Sequence, residues 1–507
     1  MAKYRTTDAA AGQILFLTVN LKDQLLPGTF EYMLNEIIGK EIDVSIFDQN
    51  YKNDLVGASA VPPSVLLKLI IYGYKKGCKS SRKISELNCN NMVAKALTGD
   101  MAIHWTTIAD FISGNRAGFN DVFVKVLIYC NELGLIGGET FAVDGLRLPS
   151  NASIQMSGTK EQLEKRVQVY RRMAEKHTER HQRKDECGEA DEETEETEER
   201  YEKRQEYLAH QIAKINAFID EMEKKTGKSG QELQSNVTDN ESAMIHSSKG
   251  IIQGYIGIAV TDAKNQIITS AQAVGTANEG EHLPMMLDKN TENLKEAGVK
   301  GLEEEKKQTI LGDPNYFSEE NLKACEERGI EAVITDGQEK HRVNNSEEER
   351  YGVGDFKYDE EGDWYECPQG KQLGYKYETT LRNGTEKVYQ ASLTDCRQCP
   401  VYSKCIRTKK DCSELNQGKK ILIRSSEEPE RLCRKMREKL ETEEYKEKYS
   451  RRIQIVEVVF ANISYCKGLN RFTLRGKEKV NGQWQLYCMV YNLGKCLNEL
   501  NRRRNSA

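Results

Sequence analysis

Apolar residues recur at spacings of three and four through the first quarter of the chain. In the middle they shift to short runs bounded by turn residues, and near the end a helical stripe returns. PGTFEYMLNEIIG and PPSVLLKLIIYGYKKG carry the helical spacing. The second opens on Pro62 and Pro63 and stops at Gly77, residues suited to a helix start and a helix end. SSRKISELNCNNMVAKALTG and HWTTIADFISGNRAGFNDVFVKVLIYCNELGL continue the pattern, so residues 1–135 are predicted to form an all-helical domain. TFAVDGLRL then predicts a strand, and IIQGYIGIAVTDAKNQIITSAQAV predicts two strands around a turn at 262–265. HLPMMLDKNTENLKEAG reads as an amphipathic helix ending at Gly298, KKQTILGD as a strand, and SEENLKACEERGIEAVITD as a helix followed by a strand. Three strands able to pair antiparallel, followed by alternating helix and strand, predict an α/β fold: a mixed sheet covered by helices.

Two segments interrupt that core, dividing it into 136–159, 228–353 and 419–507. Residues 160–227 are almost wholly charged and lack proline. EQLEKRVQVYRRMAEKH and YLAHQIAKINAFIDEMEKK have apolar residues at helical spacing, which predicts two antiparallel helices. The acidic linker ECGEADEETEETEER joins them and is expected to be disordered. The arm carries no chemical signature. It reads as a solvated protrusion, with contact to DNA or to a second subunit as the alternative. The second interruption, residues 354–418, holds Cys367, Cys396, Cys399 and Cys405, separated by 28, 2 and 5 residues. A C-x2-C pair can grip one ion from a tight turn. Four thiolates satisfy tetrahedral zinc and close the site to substrate, so a structural Zn²⁺ is expected here. Cys412 can stand in for one ligand, and reduced, partly buried thiols are the plain alternative.

At 507 residues several domains are expected. The formal net charge of -5 hides an asymmetry: residues 401–507 hold 25 Lys+Arg against 13 Asp+Glu, while acid concentrates at 185–206. That basic surplus suggests a polyanionic partner, a solvated helical surface being the alternative. Lys75, Lys76, Lys79, Arg82 and Lys83 lie among short helices, an arrangement that suits a helix-turn-helix DNA reader and equally a helical packing domain. The apolar stretch at the start is short and broken by Asn20 and Lys22, and no run approaches the roughly 18 apolar residues of a membrane span. The expectation is a cytoplasmic protein with no membrane partner, whose 14 cysteines are reduced thiols or metal ligands.

Three acids sit in apolar surroundings. Asp144 ends the run in GGETFAVDG, Asp313 ends the run in QTILGDPNYFS, and Glu457 lies within RRIQIVEVVFANI. Each has a plain reading. Asp144-Gly145 is a common hairpin-turn dipeptide, and Asp313 before Pro314 can start a turn. On a helical wheel Ile453, Val456, Phe460 and Ile463 share a face and Glu457 falls within its arc, so Glu457 needs a partner such as Arg452. Taken together, two strand-end acids and one helical acid form a hard oxygen set for two Mg²⁺ or Mn²⁺ ions. Two such ions about 4 Å apart serve in-line displacement at a phosphate, with Asp144 bridging both and Asp313 and Glu457 each holding one. Asp239 and Asp262 read as turn or strand-end residues.

In this order, FLTVNLKDQLLPGTFEYML, TTIADFISGNR, FAVDGLRLPSNAS, NVTDNESAMI, GYIGIAVTD, LGDPNYFSEENLKACEERGIEAVI, the cysteine cluster, RIQIVEVVFANI, LNRFTLRGKEKV and YNLGKCL resemble a bacterial DDE-type insertion-sequence transposase. The resemblance implies a ribonuclease-H-like catalytic core in which Asp144, Asp313 and Glu457 are the first, second and third acids of the triad. It implies cleavage of double-stranded DNA at element ends and joining to a target, by a homodimer on DNA in the bacterial cytoplasm at the nucleoid. Arg452, Lys467, Arg471 and Arg475 are its candidate DNA contacts. The chain departs from the family pattern at two places. Ser464 stands where a basic residue often follows the glutamate by seven positions, with Lys467 one turn later, and Ala461 replaces a frequent glycine after Phe460. A DNA-binding protein of the same ancestry without catalysis, and a metal-dependent nuclease that cuts without joining, are the rival readings. The presence of all three acids disfavours the first.

Overall fold

Capping residues account for the helices of the first quarter. In the computed structural model, which describes residues 20–51, 59–187, 198–227, 230–247, 250–300, 308–336, 351–381, 384–406, 411–424 and 429–506, helix α1 (Phe30–Ile37) begins where the Thr29 side chain accepts the Tyr32 amide. Helix α2 (Pro63–Lys75) opens on its proline. Ser80 and Asn91 cap α3 (Ser81–Asn90) and α4 (Met92–Thr98), so Asn91 divides the stretch read as one continuing helical pattern. Gly99 closes α4 in the left-handed conformation, φ 64°. Helices α5 (Trp105–Gly114) and α6 (Arg116–Glu132) complete the layer.

The main sheet has six strands and is mixed, as the pattern predicts. Strand β1 (Thr140–Pro149) lies at its centre. The short strands β2 (Ser157–Gly158) and β3 (Ser235–Asn236) pair with each other at the foot of a helical arm, α7 (Lys160–Cys187) and α8 (Glu198–Glu221). Strand β4 (Ala243–Ser247) and strand β6 (Ile268–Val274) share one edge of the long strand β5 (Gly250–Asp262). The other edge of β5 pairs antiparallel with β1. After α9 (Leu283–Glu296), strand β7 (Thr309–Gly312) pairs parallel with β1. After α10 (Glu319–Glu327), strand β8 (Glu331–Ile334) pairs parallel with β7.

The arm is antiparallel, as expected. Tyr201 stacks on His181 at 4.0 Å, and Gln205 Nε2 donates to the Ala174 carbonyl at 3.1 Å, so the chains run in opposite senses. Leu163, Val167 and Ile215 build a small core of their own with Met156 at its base. The expected linker at 186–200 gives up both its ends to the helices, and its centre, 188–197, lies outside the described residues. The second insertion is a five-stranded antiparallel sheet in the order β13-β12-β11-β10-β9. It comprises β9 (Lys357–Asp359), β10 (Trp364–Glu366), β11 (Gln372–Leu381) and β12 (Gly384–Ala391), then α11 (Leu393–Arg397), α12 (Tyr402–Cys405) and β13 (Lys420–Arg424), the last strand running past the expected end at 418. Phe356, Tyr365, Leu373, Tyr389 and Ile421 form its separate core.

The chain ends in α13 (Pro429–Leu440), α14 (Glu443–Arg452), α15 (Val458–Ala461) and the long α16 (Lys477–Ser506). Helix α16 joins the sheet to the first-quarter helices in one hydrophobic core. Trp484 is fully buried and donates from Nε1 to the Ile258 carbonyl at 3.0 Å. The ring lies over Gly257, where a Cβ would meet it at 2.8 Å. Three residues on, Tyr487 stacks on Tyr74 of α2 at 4.3 Å. No described helix is long and apolar enough to cross a membrane.

Candidate active site

The register of β1 against β7 brings two of the predicted acids together. Their parallel pairing runs from Thr140 opposite Thr309 to Val143 opposite Gly312. The next residues are Asp144 and Asp313, on strands about 4.8 Å apart. Asp144 is the fifth residue of a ten-residue strand, so it is neither a hairpin-turn residue nor at a strand end. Pairing with β5 continues beyond it, to Pro149 opposite Gly254. Asp313 does leave its strand. It caps a 3₁₀ turn (Pro314–Tyr316), accepting the Asn315 amide on Oδ1 at 3.0 Å and the Asn315 side chain on Oδ2 at 2.9 Å. Burial, and then the charge of Asp313, push the Asp144 carboxyl above its ordinary range, while Arg452 and the Gly145 amide pull the other way.

Arg452 links the first acid to the third. It is 5% exposed, at the end of α14. One terminal nitrogen lies 3.0 Å from Asp144 Oδ2, and the other 3.6 Å from Glu457 Oε1, an ion pair beyond hydrogen-bond length. The helical wheel placed Glu457 inside the apolar stripe, and the structure corrects this. The helix passes through two π turns, Ile453–Glu457 and Asn462–Cys466, each holding more residues than an α turn. The buried face is therefore Ile455, Val456, Val459, Phe460 and Ile463, and Ile453 is 53% exposed. The Glu457 side chain is 54% exposed, at the margin of the stripe beside Arg452.

A fourth acid escaped the sequence reading. Glu279, in the polar loop before α9, is 2% exposed. Its Oε1 accepts Arg147 Nη2 at 2.9 Å and Asn315 Nδ2 at 2.8 Å. Burial raises its carboxyl to about 7, Arg147 opposing and Asp313 and Asp144 adding to the rise. TANEGEHLP has no apolar run to mark Glu279, so nothing in the linear pattern could have found it.

Lys467 is buried, donates to Asn462 Oδ1, and sits over the Tyr491 ring at 5.2 Å. Burial first, then Lys75, lower its ammonium to about 8. Arg471 and Arg475 are exposed, and their Nε atoms donate to the carbonyls of Ser150 and Asn151, just past β1. Asp262 accepts the amides of Gly137, Gly138 and Lys264, and Asp239 accepts the Tyr255 hydroxyl and the Gly476 amide; both are structural, as read.

Cys367, Cys396 and Cys405 pack against the core of the second insertion. Cys367 opens a turn in which the Lys371 amide donates to Sγ at 3.3 Å, and the Lys419 amide donates to Cys396 Sγ at 3.4 Å. Burial pushes the Cys405 thiol up to about 11. Lys419 opposes this, and Cys399, Cys367 and Cys396 each add to the rise. Among the described residues no group of three or more His, Cys, Asp or Glu side chains is already arranged to hold an ion.

Residues 366–497 match the family model described as "Transposase DDE domain", and residues 19–114 match the one described as "Transposase domain (DUF772)". The first match contains Glu457, Arg452 and the four cysteines of the second insertion; Asp144 and Asp313 precede it. No match to the chain arises among curated proteins or solved structures.

Proposed function

The chain belongs to the insertion-sequence DDE transposases, a family of nuclease and transposase enzymes, and from that premise we propose that it cuts and joins DNA strands at the ends of its element by two-metal-ion phosphoryl transfer. The observation that carries the reading is the adjacency of Asp144 and Asp313 on parallel strands, with Arg452 tying Asp144 to Glu457. The strand order supports a ribonuclease-H-like core: β1 lies at the centre, antiparallel to β5 and parallel to β7.

The donor set fits the ions. It consists of carboxylate oxygens only, and Asp144 and Asp313 are near enough to raise the cost of being charged together, a cost that divalent cations relieve. Two Mg²⁺ or Mn²⁺ ions held by Asp144, Asp313 and Glu457 would supply Lewis acidity at the phosphorus. The chain's own residues do the positioning. The β1–β7 register sets the first two acids, and Arg452 links Asp144 to Glu457. Arg452 neutralises the cluster until cations compete for its partners. In the first step water oxygen bonds to phosphorus as the P–O3′ bond breaks, leaving a 3′-hydroxyl. That hydroxyl then attacks a target phosphodiester, exchanging one P–O bond for another without an external energy source. Arg471 and Arg475, exposed beside the end of β1, are assigned to the DNA backbone. Lys467 is assigned to DNA with less support, because it is buried. Cys367, Cys396, Cys399 and Cys405 are assigned to a structural Zn²⁺, a reading supported by the backbone amides that donate to the Cys367 and Cys396 sulfurs. A homodimer on double-stranded DNA in the bacterial cytoplasm completes the proposal.

The test is a strand-transfer assay with Mg²⁺ on an element-end DNA. Cleavage and joining are expected, and Asp313→Asn abolishes both while DNA binding persists. Cleavage without joining assigns a nuclease, binding alone assigns an inert relative, and full activity of Asp313→Asn removes that residue from the site.

A further inference from the structure

Successive side chains of a strand point to opposite faces, so Asp144 faces Arg452 while Gly145 and Arg147 face the other way. Glu279 lies on that second face. A Cβ on Gly145 would stand 1.9 Å from Glu279 Oε2, so the carboxylate occupies the space that any larger residue would fill. A second close approach locks the loop from its other side: a Cβ on Gly280 would meet the Asn315 carbonyl at 2.1 Å. Asn321 Nδ2 bonds the carbonyls of Gly280 and Tyr316, both at 2.9 Å, pinning the Glu279 loop to the turn that begins at Asp313. Between them, the Asn315 side-chain amide donates one hydrogen to Glu279 Oε1 at 2.8 Å and the other to Asp313 Oδ2 at 2.9 Å.

We propose that Glu279 is a positioning residue of the active site: seated over Gly145, it orients Asp313 through Asn315 and so sets where the oxygens of the second acid stand. Glu279 Oε1 accepts from Arg147 and Asn315 alike, so Asn315 turns its NH₂ toward it, and the same NH₂ is then presented to Asp313. Arg147 holds the other side of this relay, reaching from Glu279 to the His246 carbonyl at 3.0 Å. Stability alone is a poor account of the arrangement. Glu279 Oε2 is buried with no hydrogen-bond partner among the described residues, a costly state for a carboxylate oxygen.

The inference rests on the proposed metal-dependent reading, and two readouts separate them. Mn²⁺ binding is measured by titration calorimetry on the full chain without DNA, and the Mg²⁺ concentration for half-maximal cleavage is measured with DNA. Glu279→Ala and Asn315→Ala are each expected to weaken Mn²⁺ binding about 10- to 100-fold and to raise the Mg²⁺ requirement alike, with metal-free DNA binding unchanged. Glu279→Gln, which keeps an acceptor for Asn315, is expected to stay close to the parent. Parent-like Mn²⁺ binding in both alanine variants overturns the assignment, as does a Glu279→Gln loss equal to that of Glu279→Ala. If Glu279→Ala does not fold, Asn315→Ala carries the test. An Asp313→Asn protein that still cleaves overturns the underlying reading. An inactive Asp313→Asn beside alanine variants with parent-like Mn²⁺ binding overturns the positioning role alone.

Discussion

Arg452 pairs with two acids of the proposed triad, Asp144 and Glu457. Its charge lowers the Asp144 carboxyl against burial and Asp313, so Arg452→Gln raises that carboxyl further. If ionised Asp144 is needed for cleavage, the acidic limb of the pH–rate profile moves to higher pH in the variant; an unmoved limb would show that Arg452 does not tune it. Lys467 poses the opposite problem. Its folded-state value of about 8 lies below the ordinary 10.5, so the unfolded chain binds more protons between those values. Stability therefore rises with pH across that window, and the destabilisation is fully present below pH 8. Lys467→Met should stabilise the protein at pH 7 by on the order of 1–3 kcal/mol, with the gain fading toward pH 10.5, as urea titrations at both pH values would record. Asp144 and Asp313 were legible in the sequence because a carboxylate in an apolar run is anomalous on its face. Glu279 was not, because its burial comes from a loop folding over Gly145, far off in the chain.

Elements were legible where a single period governs them. The arm helices and the β5–β6 hairpin follow their patterns because each needs only local spacing and a turn. The helix bearing Glu457 did not follow, since its two π turns break the 3.6-residue period on which the wheel depends. The arm's core at Met156, Leu163, Val167 and Ile215 is separate from the main one. Leu163→Ala should then strip hydrogen-exchange protection from α7 and α8, with a local cost of about 2–5 kcal/mol, while the β1–β5 ladder keeps its protection. Equal loss in both would mean that arm and sheet unfold together. The cysteine segment makes a parallel case. Metal analysis of purified protein should find about one zinc per chain. Cys396→Ser should lose it and destabilise β9 to β13, and a folded, metal-free parent would remove the zinc from the account.

At the scale of the molecule, α16 ties the main sheet to the first-quarter helices. Trp484 packs on Gly257 of the sheet and Tyr487 on Tyr74 of the first-quarter helices, within one continuous core. Trp484→Ala should cost about 3–5 kcal/mol and lower the urea midpoint of the sheet and the N-terminal helices together. A transition confined to one of them would divide the core into two units.

Local physics was enough for the sequence to determine the mixed α/β class, the arm helices, the thiol spacing and the oddness of Asp144 and Asp313. Periodicity, turn chemistry and the cost of burying charge all act over a few residues. Tertiary structure alone decided that Asp144 and Asp313 are neighbours, that Arg452 stands between Asp144 and Glu457, and that Glu279 sits behind them. Those facts depend on strand register and on loops meeting across well over a hundred residues, which no local period encodes.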